Sequence, residues 1–296
     1  MTDLIVGYGI IALAVVLIGT TMKLRQVPTF GFVLLNRWVR WLLFGFGIAY
    51  LLRDWNLSER PFWALAPSFL LLWILFESVY TWLAVKALSI SEIPVYPKYR
   101  ETSDEVAWPV LSYFLSVKEE IRSLGFSREA NLTADLGGSL KMRALLYFSE
   151  DRKTRLQVVF APRANGCPAL FLVFSCKNGD NRWVTDNVWL PFGGIFPGTW
   201  SVSRHPFARS AKRLHEKHSR NMKSWAAEPE PFGEDAVETL NAEQDSLDRA
   251  STDGGILVPR GQRPEFGKLT GDGKYRVWKQ ILLLNYLGRV GNRVAG

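Results

Sequence analysis

The sequence predicts a two-part chain: an N-terminal three-helix transmembrane anchor, then an α+β domain built on a four-stranded antiparallel meander. Three observations carry this reading. Residues 1–88 are strongly apolar and the remainder is of ordinary mixed composition, so a mean hydropathy of +0.01 hides a split. Many tryptophans fall at the ends of apolar runs, where membrane proteins place aromatic belts. Beyond residue 138, short runs alternate apolar and polar side chains between turn-forming clusters.

The first run, residues 4–22, carries no charge and is long enough for a bilayer core of roughly 30 Å. A signal peptide would want a basic start and a small-residue cleavage site. Here Asp3 is the only early charge, and Lys23 and Arg25 follow the run, so a retained span is expected. The third run, residues 62–85, is bounded by Phe62 and Trp63 at one end and by Trp82 and Lys86 at the other. Pro67 lies in its first turns, where a helix bundle tolerates a kink. The middle run, 30–52, is ambiguous because it contains Asn36, Arg37 and Arg40. It either spans with its arginines buried or snorkelling, or lies partly in the interface and leaves a two-helix anchor. Short flanking connections favour spanning. Lys23, Arg25, Arg37 and Arg40 cluster near one end, which the positive-inside rule assigns to the cytoplasm. The expected setting is a bacterial plasma membrane, with the N-terminus outside and the C-terminal domain cytoplasmic.

The stretch "WILFESVY" places Glu77 alone among apolar residues, which is costly if it faces lipid. It precedes Val85 by eight residues, about 12 Å of helix. Arg37 and Arg40 follow Phe30 by seven and ten residues, roughly 10–15 Å from the same end. Asn36, Arg37 and Arg40 share one helical face by their spacing. The expectation is an intramembrane ion pair of Glu77 with Arg37 or Arg40 that locks two helices together. The competing reading is a proton or ion relay, weakened by the lack of a second intramembrane acid unless the chain oligomerises.

Residues 89–105 read as a linker, with Pro94 and Pro97 ending the membrane helix. The α+β domain is expected over 106–226. Val110, Phe114, Val117, Ile121 and Leu124 line one side of a helix. Strands are expected over 139–148, with Leu140, Met142, Ala144, Leu146 and Phe148 on one face, and over 154–161, 168–177 and 182–189. The third is apolar nearly throughout, as a central strand would be. The turn "KNGD" before the fourth is a hairpin signal. "PFGGIFPGTW", residues 191–200, has neither GxGxxG nor Walker A spacing and reads as an irregular crossover.

Residues 205–225 read as a basic helix with Arg209, Lys212, Arg213, Lys217, Arg220 and Lys223 spread around an apolar face of Phe207, Ala211, Leu214, His218 and Met222. Such a surface suits anionic lipid or an acidic partner; nucleic acid is not the expected partner. His215 and His218 are three apart, but "HEKH" is not HExxH and a catalytic zinc wants a third ligand. The pair is read as solvated or partner-facing, and no metal is expected. Residues 227–255 read as an acidic linker or helix that pairs with the basic helix beside it. Residues 256–296 form a basic segment with an amphipathic helix over 275–290, too short to span, which covers the sheet or rests on the membrane interface. Cys167 and Cys176 read as reduced core or edge thiols, too few for a disulfide framework or a four-ligand zinc site.

No nucleophile, base and oxyanion elements match up, so neither catalytic residues nor a cofactor are expected. The expected function is non-enzymatic: a membrane-anchored subunit, scaffold or sensor presenting a partner-binding domain. The alternative is an oligomeric transport or pore-forming subunit using Glu77. Expected partners are membrane lipids and either another protein or further copies of the chain.

Overall fold

A computed structural model describes residues 2–27, 29–103, 106–138, 140–163, 166–190, 194–223, 225 and 228–289. Its first three helices are α1 (Thr2–Gln26), α2 (Phe30–Asp54) and α3 (Phe62–Ile90). All three are long and apolar enough to cross a membrane, which supports a membrane protein. The middle run is one continuous helix, so the anchor has three helices rather than two.

Apolar side chains gain little by leaving lipid for one another, so small and polar residues hold such helices together. Asn36 on α2 is buried, and its Nδ2 donates to Thr20 Oγ1 at 3.0 Å and Thr21 Oγ1 at 2.9 Å on α1. Gly45 lets α2 approach α3: a Cβ there would lie 2.4 Å from Leu70 Cδ2. Beside it, the Trp41 indole donates to the Leu70 carbonyl at 2.9 Å.

After the anchor come β1 (Tyr99–Glu101), α4 (Ser112–Ser123), β2 (Ser127–Asp135), β3 (Lys141–Phe148), β4 (Arg155–Ala161), β5 (Ala169–Asn178), β6 (Asn181–Asp186), β7 (Trp200–Arg204), α5 (Ala211–Lys223) and α6 (Ala236–Asp253). The strands form one seven-stranded sheet in sequence order, antiparallel except that β7 runs parallel to β6. The four-stranded antiparallel meander of the sequence reading is corrected to this mixed sheet. β2 escaped notice because its inward residues are mostly small, Ala130, Leu132 and Ala134, while its outward ones are polar. β1 is three residues long and lies inside the stretch read as a linker. A parallel neighbour requires a crossover, and residues 187–199 supply it. Residues 191–193 of that glycine-rich stretch lie outside the described residues. Ile195 beyond them donates its N–H to Ser251 Oγ of α6 at 2.9 Å.

α4 and α5 cover one face of the sheet and α6 the other. Double coverage is why every residue of β4 is buried. Ala144, Leu146 and Phe148 share the α6 face, but Leu145 and Tyr147 are buried on the other, and Leu140 precedes the strand and is exposed. Val110 likewise stands exposed before α4, whose buried stripe is Phe114, Val117 and Ile121.

Among the described residues the acidic stretch does not pair with the basic helix: the sheet lies between α6 and α5, and Glu228 before α6 pairs with Lys153. Its carboxylates turn elsewhere: Glu243 to Arg155 at 2.5 Å and Arg182 at 3.1 Å, Asp245 to Lys98 at 2.6 Å, Asp248 to Arg260 at 2.8 Å and Arg263 at 2.9 Å. Asn241 of α6 takes the backbone N–H of Tyr99 at 2.8 Å and returns its Nδ2 to the Tyr99 carbonyl at 2.9 Å. This covers the sheet edge at β1, a protection that edge strands need.

Two last helices, α7 (Arg263–Phe266) and α8 (Gly271–Leu287), bring the chain back to the anchor. α8 packs on α3 and α2, so the reading in which it covers the sheet is not realised. Residues 290–296 at the end of the basic segment lie outside the described residues. Lys268 closes the seam. Its N–H donates to the Ser89 carbonyl at 2.8 Å, and its Nζ to the carbonyls of Ser91 and Ile93, each at 2.5 Å.

Glu243 is buried between two arginines, and Arg155 also donates to Ser175 Oγ at 3.1 Å. Removing one partner of a buried pair costs roughly 3–5 kcal/mol. Glu243→Gln should therefore lower the stability of the detergent-solubilised protein by that order in a thermal or denaturant titration. Glu238→Gln, at an exposed position of the same helix, should change it little. A Glu243→Gln loss under about 1 kcal/mol, the range of surface pairs, would show that the network does not hold α6.

Candidate functional site

Three helices converge on Glu77. Its Oε1 pairs with Arg37 Nη1 from α2. Its Oε2 accepts the Trp73 indole N–H at 3.1 Å from one turn earlier on α3, and the Tyr286 hydroxyl from α8. Both carboxylate oxygens are therefore engaged. Aromatic rings wall the group: Phe44 lies 4.9 Å from Trp73 and Trp41 lies 6.0 Å from Tyr286, centroid to centroid.

The three polar residues of α2 do not act together. Consecutive helical positions point about 100° apart. Asn36 accordingly faces α1 while Arg37 faces α3, and Arg40 is exposed with no contact to Glu77. The single-face reading of Asn36, Arg37 and Arg40 is corrected on this ground. Sequence reasoning missed Trp73 and Tyr286. Trp73 was findable, since it precedes Glu77 by four residues and so shares its face. Nothing local marks Tyr286, because its partner is remote in sequence.

α8 reaches that position through two further indoles. Trp278 Nε1 donates to the Ser78 carbonyl at 3.1 Å, and Trp38 Nε1 to the Tyr286 carbonyl at 3.0 Å. The helix then stops at Gly288 in the left-handed conformation, φ 63°, with its N–H returning to Leu284 O at 3.1 Å. A side chain there would meet the φ penalty and also Phe207 Cζ at 2.9 Å.

The basic residues of 205–225 divide. The helix begins only at Ala211, and residues 205–210 form an irregular turn around Pro206. Arg209, Lys212, Arg213, Lys217, Arg220 and Lys223 are all exposed. Arg209 lies in the turn, its guanidinium 5.0 Å over the ring of Phe32 on α2.

The histidine pair packs inward, His218 buried and His215 half-buried. His215 lies 5.7 Å from Phe126 and 5.4 Å from Phe174, centroid to centroid. His218 is 1% exposed, with Nδ1 3.0 Å from Thr185 Oγ1 and Nε2 3.2 Å from Cys176 Sγ. Hydrophobic periodicity placed His218 on the apolar face, and that signal outweighs its polarity. A cysteine beside a histidine can be an activated nucleophile. Here burial acts the other way: it pushes the Cys176 thiol up to about 11, and pushes His218 down to about 3, with His215 adding a smaller push. A neutral thiol beside a neutral imidazole is a packed core contact. Among the described residues no cluster of three or more metal-ligating side chains occurs.

Removing Glu77 alone leaves Arg37 without its counter-charge, so Glu77→Gln should destabilise the protein in detergent. The loss should fall below the roughly 3–5 kcal/mol of buried soluble pairs, because arginine can snorkel. Adding Arg37→Leu should recover part of it, whereas adding Arg40→Leu should not. Additive losses for Glu77 and Arg37 in the double-mutant cycle would show that they do not stabilise one another.

His218 links stability to pH. Between its ordinary value of 6.5 and its folded value of about 3, the unfolded chain carries the extra proton and the native chain does not. Stability therefore falls as pH is lowered through that window, by about 1.4 kcal/mol per pH unit. His218→Asn should be less stable at neutral pH yet show an acid slope shallower by about one proton. An unchanged slope would mean that His218 titrates normally in the fold.

No protein-family model matches the chain, and neither curated proteins nor solved structures give a match.

Proposed function

We propose that the protein is a non-enzymatic, membrane-anchored subunit or scaffold whose C-terminal domain meets a partner protein in the cytoplasm. The observation that carries this is the return of α8 to the anchor. Sheet, C-terminal segment and membrane helices are joined at the Lys268 seam, along α8 and at Glu77, so the domain is held in a set orientation to the bilayer. A tethered catcher would want a free linker; a subunit that must present one face to a neighbour wants this rigidity. The basic residues Lys23 and Arg25 lie in the last turn of α1, at the end of the anchor that bears the domain. This supports the cytoplasmic orientation.

The conduction reading draws less from the geometry. A relay carboxylate must exchange protons or ions with a path. Glu77 has one oxygen on a guanidinium and the other on two hydrogen-bond donors, so three of its roughly four acceptor sites are taken by fixed protein groups, two of them from other helices.

Affinity purification of the full chain from native membranes in mild detergent tests the proposal. A second polypeptide should co-purify in constant ratio and be retained after gentle crosslinking. A particle made only of this chain, as a ring of copies around a polar axis, would sink the scaffold reading in favour of transport.

A further inference from the structure

The turn before α5, α5 itself and the end of α8 enclose a recess of about 740 Å³. Its lining includes His205, Arg209, Arg213, Lys217 and Arg289 and, among the described residues, no carboxylate. Arg204 also lines it, but pairs with the buried Asp186 at 3.4 Å. Glu120, beside the start of α5, is occupied by Ser210 Oγ at 2.7 Å and the backbone N–H of Lys212 at 3.2 Å. Lys217 Nζ lies 3.3 Å from His205 Nδ1. Since an ammonium can only donate, His205 accepts there as a neutral ring. Burial and Lys217 both hold its pKa below the ordinary value. Among the described residues of the lining, Arg209, Arg213, Lys217 and Arg289 thus gather positive charge in the recess with no lining carboxylate as counter-ion.

Its position says what supplies that counter-ion. Phe207 on its wall is 55% exposed and packs edge-on against Phe30, the first residue of α2, at 4.9 Å. Arg209 stacks over Phe32 two residues on. The mouth therefore lies where α2 enters the bilayer, at headgroup level. We propose that this recess binds the phosphate of an anionic glycerophospholipid, whose headgroup bridges the soluble domain and the membrane helices. Arg213 and Lys217 project from one face of α5 at i and i+4, Arg209 comes from the preceding turn, and Arg289 follows the Gly288 reversal. Lys212, Arg220 and Lys223 are not part of the lining. The inference rests on the membrane position of α2 alone, and stands whether or not a protein partner exists.

The test is native mass spectrometry of the full chain released from nanodiscs of phosphatidylcholine with or without phosphatidylglycerol. The wild type should retain one phosphatidylglycerol and no phosphatidylcholine. Each juxtamembrane cation contributes about fivefold in binding, so the Arg213→Ala, Lys217→Ala, Arg289→Ala triple variant should lose on the order of a hundredfold. The Lys212→Ala, Arg220→Ala, Lys223→Ala triple variant removes the same charge from outside the recess and should lose far less. All six positions are exposed, and unchanged thermal unfolding will show that both variants fold. Equal losses in the two variants would overturn the site in favour of general surface attraction. Displacement of the lipid by millimolar inorganic phosphate would overturn the lipid assignment in favour of a free-phosphate site.

Discussion

A carboxylate inside an apolar span must be neutralised, and much of the anchor follows from how Glu77 meets that demand. Pairing with Arg37 fixes the rotation of α2 about its axis. With Arg37 turned to α3, Asn36 must face away from it, and it finds the two threonines of α1. The second oxygen of Glu77 then draws in Tyr286, and with it the whole of α8. One charge thus sets the relative placement of four helices. Each consequence is a polar contact in a medium where polar contacts are the main source of specificity.

The soluble domain uses charge in a related way. A sheet covered on both faces buries its strands, and Arg155 within β4 would be an orphan without an acid from the covering helix. Glu243 answers it, and the next turns of α6 offer Asp245 and Asp248 to Lys98 and Arg260 and to Arg263. Because Arg260 precedes α7 and Arg263 begins it, the acids of α6 connect the sheet to the segment that returns to the membrane. The acidic stretch therefore works as a row of connectors.

The legible parts of the sequence were those whose signal is local. Span length, the alternation or continuous apolar run of β3 to β6 and the stripe of α4 are patterns over neighbouring residues. The depths of Glu77 and Arg37 are arithmetic on residue counts, but preferring Arg37 to Arg40 needed the helix rotation. The missing pieces are non-local or weak. β2 hides behind alanines and polar residues, and β7 makes sense only beside β6. The assignment of acids 228–248 to the basic helix assumed that neighbours in sequence are neighbours in space, and a sheet stands between them. His218 was misjudged because residue type was weighed over its place on the apolar face, where Cys176 and Thr185 satisfy both ring nitrogens.

The closing helix is also late in synthesis. Tyr286 and Glu77 are 209 residues apart in the chain. At roughly 5–20 residues per second, α3 leaves the ribosome roughly 10–40 s before Tyr286 exists. During that interval the nascent anchor holds Glu77 with Arg37 and Trp73 only, and the Ser78 carbonyl and the Trp38 indole await their partners. The membrane portion therefore matures in two stages, insertion first and closure after the whole soluble domain has been made. A chain cut short before residue 271 would reach the bilayer yet leave that closure undone.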